Sequence, residues 1–170
     1  MKYSFLRSGF PLLFGFVITA LSSCSYKVYV VRHAEKATAP ANDPGLSADG
    51  LQRSADLKQT LQDKKLKVIY STRTSRTMQT AAPLASYLNI QTTPYGPRPD
   101  SSFVAKIKAG KKNTLVVAHS NTVDDVVNLL CGNKVVAGDI SEAVYGNLYI
   151  VTMKGRKATL ESRKYGRPAR

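Results

Sequence analysis

The segment VYVVRHAEK, residues 28–36, decides how the rest of the chain can fold. Val28 to Val31 form an apolar, β-favouring run that is typical of a short buried strand. Arg32 and His33 follow immediately, so the side chains change from apolar to basic at the point where the predicted strand ends. This dipeptide alone fits a solvated turn as well as it fits a functional site. The choice between the two depends on whether the arrangement recurs along the chain.

The same arrangement recurs twice. Residues 66–70 (LKVIY) predict a second strand, which runs into the polar segment 71–76, and Thr114 to Ala118 predict a third strand, which is followed by His119. The segments between and after these strands predict four helices, two further strands and a Pro-rich loop at 91–100. The first helix is expected to begin at Ser47, and the side chains on one of its faces are Leu46, Leu51, Leu57 and Leu61. The second helix carries Met78, Ala81, Ala82, Ala85 and Leu88. The third and fourth helices are expected at 101–109 and 122–131, and the last two strands at 147–153 and 158–163.

Strands that alternate with helices predict right-handed crossovers and a mostly parallel sheet that is covered on both faces. The expected fold is therefore α/β, a three-layer αβα sandwich. Ligands bind beyond the carboxyl ends of the strands in such sheets. The only two histidines of the chain, His33 and His119, are placed at those ends together with Arg32 and Arg76.

Imidazole and guanidinium groups around one crevice suit a phosphoryl group, because charge-assisted hydrogen bonds to phosphate oxygens are strong. A metal site is the alternative for two histidines, but zinc takes three or four ligands and neighbouring arginines repel the ion. A purely structural pair of histidines is the other alternative. We expect no metal site and no cofactor.

The formal charge of +14 over 170 residues raises the possibility of a nucleic-acid partner. The basic residues are scattered, however, apart from a small concentration at 154–170, and no aromatic–basic recognition motif is present. The composition therefore favours small phosphorylated substrates and membrane headgroups as anionic partners, and it disfavours nucleic acid.

The first 23 residues have the pattern of a signal peptide. Lys2 and Arg7 precede an apolar run at 10–21, and the segment 21–24 (LSSC) resembles the lipobox of bacterial lipoproteins, in which the cysteine is lipidated. An ordinary secretory signal is the alternative. We therefore expect a signal peptide at 1–23, a single domain at 24–170, and a membrane anchor at Cys24. Ser25 after the cysteine favours the cell envelope, at the outer membrane or the periplasmic face.

Four blocks, VVRHAEK, LSADGLQRSADL, YSTRTSRTMQTAAPLA and VVAHSNT, resemble the successive motifs of the histidine phosphatase superfamily, also called phosphoglycerate mutase-like. The resemblance spans about 28–163 and is greatest to its small phosphatase branch, which includes phosphohistidine phosphatases. It implies that His33 is the nucleophile, that Arg32 and Arg76 bind phosphate, and that His119 is the second pocket histidine, protonated to stabilise charge. The substrate rim is expected to include Lys36, Arg73 and Asn121.

Two positions depart from the family pattern. Ala34 follows the Arg-His pair where many members have glycine, and the glutamate that serves as general acid in mutase-type members has no clear counterpart. The candidates for that acid are Asp100, Asp124 and Glu142. The expected function is a monomeric, metal-independent phosphatase that acts through a phosphohistidine. The alternatives are a phosphoryl-binding or sensing lipoprotein with a non-catalytic pocket, and a lipoprotein whose basic face binds anionic envelope polymers.

Overall fold

The computed structural model describes residues 25–167, which form six strands and four helices. The elements follow one another as β1 (Ser25–Arg32), α1 (Ala48–Leu61), β2 (Val68–Ser71), α2 (Ser75–Leu88), β3 (Thr92–Pro94), α3 (Ser101–Gly110), β4 (Thr114–Ala118), α4 (Val123–Cys131), β5 (Asn147–Lys154) and β6 (Lys157–Lys164). The predicted signal peptide and Cys24 lie outside the described residues.

The strands form one mixed sheet in the order β3-β2-β4-β1-β5-β6. The first four strands of that order pair in parallel, whereas β5 runs antiparallel to β1 and β6 runs antiparallel to β5. The prediction of a mostly parallel sheet is confirmed. The antiparallel edge arises because β5 and β6 are joined by a tight turn rather than by a crossover helix.

Alternate residues of the central strands face the two helical layers. Val28 and Val30 pack in a cluster with side chains of α3 and α4, whereas Tyr29 and Val31 pack in a second cluster with side chains of α1 and α2. Successive side chains of a strand point to opposite faces, so the apolar run of β1 serves both layers. The three-layer αβα prediction is confirmed.

Two features of the predicted elements are corrected. The Pro-rich segment 91–100 contains the short strand β3. Three residues are too few to show the alternation of apolar and polar side chains that predicts a strand. Leu51 of α1 is 57% exposed rather than on the buried face. Gly50 and buried Arg53 instead determine which face of α1 packs against the protein. A Cβ atom at Gly50 would lie 2.1 Å from the Glu35 carbonyl oxygen, so only glycine allows this close approach.

The buried face of α2 also differs from the prediction. Thr77, Thr80, Ala81 and Leu84 are buried, whereas Met78 is 36% exposed and Ala82 is exposed. The polar threonines are buried because their hydroxyl groups are hydrogen-bonded. Thr77 bonds to Thr72 after the end of β2, and Thr80 donates to the Arg76 carbonyl oxygen and accepts from the Ala34 N–H. Between residues 25 and 167, no helix has the length and apolar character needed to cross a membrane.

Candidate active site

The two histidines leave neighbouring parallel strands at the same edge of the sheet. Arg32 of β1 is in register with Ala118 of β4, and the backbone N–H of His33 donates to the Ala118 carbonyl at 2.9 Å. The ring centroids of His33 and His119 are 5.4 Å apart, with an interplanar angle of 67°. The predicted convergence of both imidazoles at the carboxyl end of the strands is what the structure shows.

The His33 side chain is held in one tautomer. Its Nδ1 lies 2.8 Å from the carbonyl oxygen of Ala34. A carbonyl oxygen can only accept, so Nδ1 carries the hydrogen and Nε2 retains its lone pair. The Ala34 backbone is fixed in turn, because its N–H donates to Thr80 Oγ1 at 2.9 Å.

The imidazole of His33 is neutral over a wide pH range. It is 4% exposed, and burial, together with the positive charges of Arg32 and Arg76 and the nearby His119, lowers its pKa to about 3. A buried, neutral imidazole with a free Nε2 is a competent nucleophile at pH 7.

The His119 ring is bound on both nitrogens. Its Nε2 lies 2.8 Å from Thr72 Oγ1 and its Nδ1 lies 3.4 Å from a guanidinium nitrogen of Arg76. Because arginine only donates, Nδ1 is the acceptor and Nε2–H donates to Thr72. Thr72 is itself bonded to Thr77 of α2 at 2.9 Å, which explains why a threonine is buried there.

The charge state of His119 differs from the expectation of a protonated ring. Burial, followed by the charges of Arg76 and Arg32, lowers its pKa to about 4, and the Glu142 carboxylate offsets this only in part. The imidazole is therefore neutral at pH 7 in this structure.

Arg76 lies in the first turn of α2 and lines the crevice. Its guanidinium lies 3.7 Å from Asp43, whose carboxylate accepts hydrogen bonds from the backbone and side chain of Ser75. These contacts hold the start of α2 and aim Arg76 at His119.

Arg32 holds a loop rather than lining the crevice. It is 3% exposed, and one guanidinium nitrogen donates to the carbonyl oxygens of Ser141, Glu142 and Val144 at 2.9–3.1 Å. The other donates to Glu142 Oε2 at 2.7 Å, and the guanidinium stacks 4.2 Å from the Tyr145 ring centroid. Its Nε is buried without a hydrogen-bond partner.

The three acid candidates have different surroundings. Glu142 lines the crevice, where its carboxylate contacts Arg32 and accepts from the Ser120 hydroxyl. That hydrogen bond, with the charges of Arg32 and Lys36, holds its pKa below the usual range. Asp100 also lines the crevice but caps α3, accepting from Phe103 N at 2.8 Å. Asp124 is 8% exposed in the first turn of α4 and does not line the crevice.

The crevice itself has a volume of about 1080 Å³. Lys36 and Asn121 are among its lining residues, as expected of a substrate rim. Arg73 is not; it lines an adjoining cavity of about 520 Å³, which meets the crevice at His119. The crevice lining that sequence reasoning missed includes Ser120, Arg98, Asp139 and Ile140. Ser120 could have been found, because it directly follows His119.

Among residues 25–167, no three histidine, cysteine or carboxylate side chains are grouped as metal ligands. The crevice is lined by the cationic side chains Lys36, Arg76 and Arg98 and by the carboxylates Asp100, Asp139 and Glu142. Of these groups, the guanidinium of Arg76, beside the histidines, suits an oxyanion. The arrangement can place a neutral nitrogen nucleophile against an electrophile while Arg76 and His119 stabilise negative charge on it.

Comparisons with known proteins agree with this geometry. Residues 28–95, which contain His33 and Arg76, match the family model described as histidine phosphatase superfamily (branch 1). A search of curated proteins found no match.

Three solved structures illustrate the similarity of fold. The protein histidine phosphatase SixA, solved with tungstate, is 21% identical, with a TM-score of 0.63 over 81% of this chain and 96% of that one. The alpha-ribazole phosphatase of Shigella flexneri is 13% identical, with a TM-score of 0.62 over 81% and 96%. The phosphoglycerate mutase of Bacillus anthracis is 14% identical, with a TM-score of 0.54 over 83% and 93%. The family match spans the first histidine and the second arginine, and the second histidine lies opposite them, so over residues 28–95 the chain is similar to the histidine phosphatase superfamily, branch 1.

Proposed function

We propose that this protein is a phosphatase that hydrolyses a phosphomonoester, or a related phosphoryl group, through a phosphohistidine on His33. The observation that carries the proposal is the His33 imidazole, which is neutral, fixed by Ala34 and placed opposite His119. The match of residues 28–95 to the histidine phosphatase superfamily, together with the phosphatases of similar fold, supports the coarser conclusion that the activity is a phosphatase activity.

The first step forms a bond between His33 Nε2 and phosphorus while the bond from phosphorus to the leaving-group oxygen breaks. The leaving oxygen takes a proton from an acid in the crevice. Water then attacks the phosphorus of the phosphohistidine and gives its proton to the conjugate base of the same acid, the phosphorus–nitrogen bond breaks, and inorganic phosphate leaves. Positioning and charge supply most of the catalysis in such a transfer. No step of this scheme requires a metal ion or a cofactor.

Arg76 and His119 line the crevice and stabilise the transferring phosphoryl oxygens, whereas Arg32 acts by holding the loop that carries Glu142. A phosphoryl dianion beside His119 raises the pKa of the imidazole, because an opposite charge favours the protonated form. The neutral ring of the structure and the protonated ring expected from the family are therefore two states of one group.

Glu142 is the proton donor that the geometry favours. Its carboxylate lines the crevice against Arg32 and lies close enough to His33 for the two to influence each other. Asp100 is engaged in capping α3, and Asp124 is outside the crevice lining. The lowered pKa of Glu142 makes it a carboxylate at pH 7. The negative charge of an arriving phosphoryl dianion raises that pKa, so Glu142 takes up the proton that it then donates.

The substrate is a small phosphorylated molecule. SixA is described as a protein histidine phosphatase and its structural counterpart from Shigella flexneri as an alpha-ribazole phosphatase, so this fold accepts different leaving groups. The mixed charges of the crevice wall, Lys36, Arg98, Asp100 and Asp139, would contact the leaving group.

The experiment that tests the proposal traps the intermediate. Wild-type protein quenched during turnover of a labelled phosphomonoester should carry a phosphoryl group that is acid-labile and alkali-stable, as phosphoramidates are. We expect His33→Ala to lose the label and to lower kcat by several orders of magnitude, because the nearby His119 has both ring nitrogens engaged by Thr72 and Arg76 and does not replace the nucleophile. His119→Ala should keep the label and lose less activity. Vanadate should inhibit the wild type.

A second candidate function is a phosphoryl-binding or sensing protein without turnover. The observation that favours it is the contact between Glu142 and Arg32, which occupies a phosphate-binding arginine with the protein's own loop. Tungstate or phosphate binding by a wild type that forms no labelled intermediate and releases no phosphate from nitrophenyl phosphate would establish this candidate and overturn the first.

We also propose that the protein is anchored in the cell envelope by a lipid on Cys24. The proposal rests on the basic and apolar segments that precede the LSSC motif in the sequence. Wild-type protein should partition with membranes, and Cys24→Ser should appear in the soluble fraction or stay uncleaved. Recovery of the wild type in the soluble periplasmic fraction would contradict the anchor.

A further inference from the structure

Basic side chains are concentrated at the end of the sheet opposite the active site. The parallel strands begin at this end, and the antiparallel pair β5 and β6 turns there, since Ser25 is in register with Lys154. The side chains contributed by β1, by the segments before β2 and β4 and by the β5–β6 turn are here called the basic face: Lys27, Lys64, Lys65, Lys67, Lys111, Lys112, Lys154, Arg156 and Lys157.

All nine side chains of the basic face are exposed, and none forms an ion pair with a described residue. The same segments, 25–27, 62–67, 111–113 and 154–157, contain one acidic residue, Asp63. They are contributed by five neighbouring strands of the sheet, so the face is about 20 Å wide at ordinary strand spacing. The face therefore presents a nearly uniform positive surface.

The backbone of the basic face is held rigidly by Asn113. Its side chain accepts from the backbone N–H of Lys27 at 2.9 Å and donates to the carbonyl oxygen of Lys64 at 2.9 Å. Its own carbonyl oxygen accepts from the N–H of Lys67 at 2.9 Å. One residue thus ties the starts of three strands together, and the lysines project from a fixed platform.

Two of the lysines stand where the backbone favours another residue. Lys65 and Lys111 have φ values of 52° and 48°, in the left-handed region that suits glycine or asparagine. Lysines after helices α1 and α3 are partly explained by the negative helix ends. That explanation does not extend to Lys27 and the β5–β6 turn, which follow no helix, or to Lys67, which lies next to the start of β2.

We infer that the basic face docks on the surface of an anionic lipid bilayer. The first reason is charge, because juxtaposed lysines and arginines are attracted to anionic headgroups. The second is position: Ser25 lies on this face, so the segment that carries the apolar run 10–21 is joined to the protein here. The inference requires neither lipidation of Cys24 nor phosphatase activity.

The composition of the face favours a bilayer over nucleic acid. Single-stranded nucleic acids are bound by basic grooves with exposed aromatic side chains that stack on bases. Tyr26 is the one aromatic residue in the four segments of the face, and it is 8% exposed.

Docking by this face fixes the direction of the active site. His33 lies just beyond the far end of β1, whose eight residues span about 25 Å. The crevice then opens away from the bilayer, toward substrates dissolved in the aqueous phase rather than toward lipid headgroups.

Vesicle sedimentation with the full-length chain tests the inference. We expect stronger partition to phosphatidylcholine vesicles that contain phosphatidylglycerol than to vesicles of phosphatidylcholine alone, with the difference lost at high salt. The double variant Lys111→Glu, Lys112→Glu should lower partition to the anionic vesicles at least about 25-fold, since each lysine contributes about 5-fold. Partition to neutral vesicles should not change.

The matched control is Arg163→Glu with Lys164→Glu, which changes the net charge equally at the opposite end of β6. It should retain most of the anionic partition, and both double variants should hydrolyse nitrophenyl phosphate or bind tungstate as the wild type does. Equal partition of the wild type to both vesicle types would overturn the inference, as would equal losses in the two double variants. Tighter binding to single-stranded DNA than to the anionic vesicles at one salt concentration would reassign the face to nucleic acid.

Discussion

At the scale of single residues, Glu142 is the side chain on which the chemistry of the crevice depends most. Its carboxylate contacts both the arginine beside the nucleophile and the serine beside the second histidine. In the proposed reaction this places one negative charge where the phosphoryl dianion would bind, so the same group would oppose substrate binding and protonate the leaving group.

Replacing Glu142 with glutamine separates these two effects. We expect Glu142→Gln to lower KM for all phosphomonoesters, because a repulsive charge is gone. Its kcat should fall about 100-fold or more for an alkyl phosphate, whose alkoxide must be protonated, and change little for nitrophenyl phosphate. Steady-state kinetics with glycerol phosphate and nitrophenyl phosphate measure both effects.

Asp100→Asn is the comparison for that experiment, because Asp100 lines the same crevice but caps α3. Asparagine is also a good helix cap, so this variant should keep both activities. If Asp100→Asn slows only the alkyl phosphate, Asp100 is the acid and Glu142 is not. Equal slowing of both substrates by Glu142→Gln would assign Glu142 to positioning Arg32.

The sequence indicates some of these residues and not others, for a physical reason. His33, Arg76 and His119 follow strands or begin a helix, so topology alone brings them together. Glu142 belongs to the segment between α4 and β5, which has no periodic pattern. The position of Glu142 in the crevice depends on the backbone carbonyl groups that Arg32 binds, and no sequence pattern predicts those contacts.

At the scale of elements, strands with a continuous apolar run could be predicted closely and helix faces less well. The predicted third strand, Thr114–Ala118, coincides with β4, all of whose residues are buried. The face of α1 was wrong at Leu51 because a polar pair determines the helix position. Arg53 donates to the Glu35 carboxylate at 2.6–2.9 Å. The spacing of apolar residues predicts only apolar helix faces, so it could not indicate this ion pair.

At the scale of the whole molecule, the two ends of the sheet differ in composition. One end carries the two histidines, and the other carries nine exposed basic side chains that form no ion pair with any residue in 25–167. The scattered basic residues of the sequence become a single face because every βα unit returns to the same end. Spacing in the sequence could not show this, since the contributing segments are separated by 34 to 43 residues.

The two neutral histidines make stability depend on pH in a direction that can be measured. Their pKa values, about 3 for His33 and about 4 for His119, are lower in the folded protein than the ordinary value of 6.5. Below pH 6.5 the unfolded chain therefore binds protons that the folded protein does not, and the free energy of unfolding falls.

Between pH 6.5 and 5, we expect His33 to lower the free energy of unfolding by about 2 kcal/mol, at 1.36 kcal/mol per pH unit. Half-buried His119 should contribute less because solvent screens it. The pKa values of Asp43, Asp100 and Glu142 are lowered from about 4, so these carboxylates act mainly below this window. Urea unfolding at pH 5, 6, 7 and 8 measures the change, and His33→Gln should remove the larger part of it. A free energy of unfolding that is constant or rises as the pH falls from 6.5 to 5 would show that His33 is protonated in the folded protein, and it would contradict a neutral imidazole as the nucleophile.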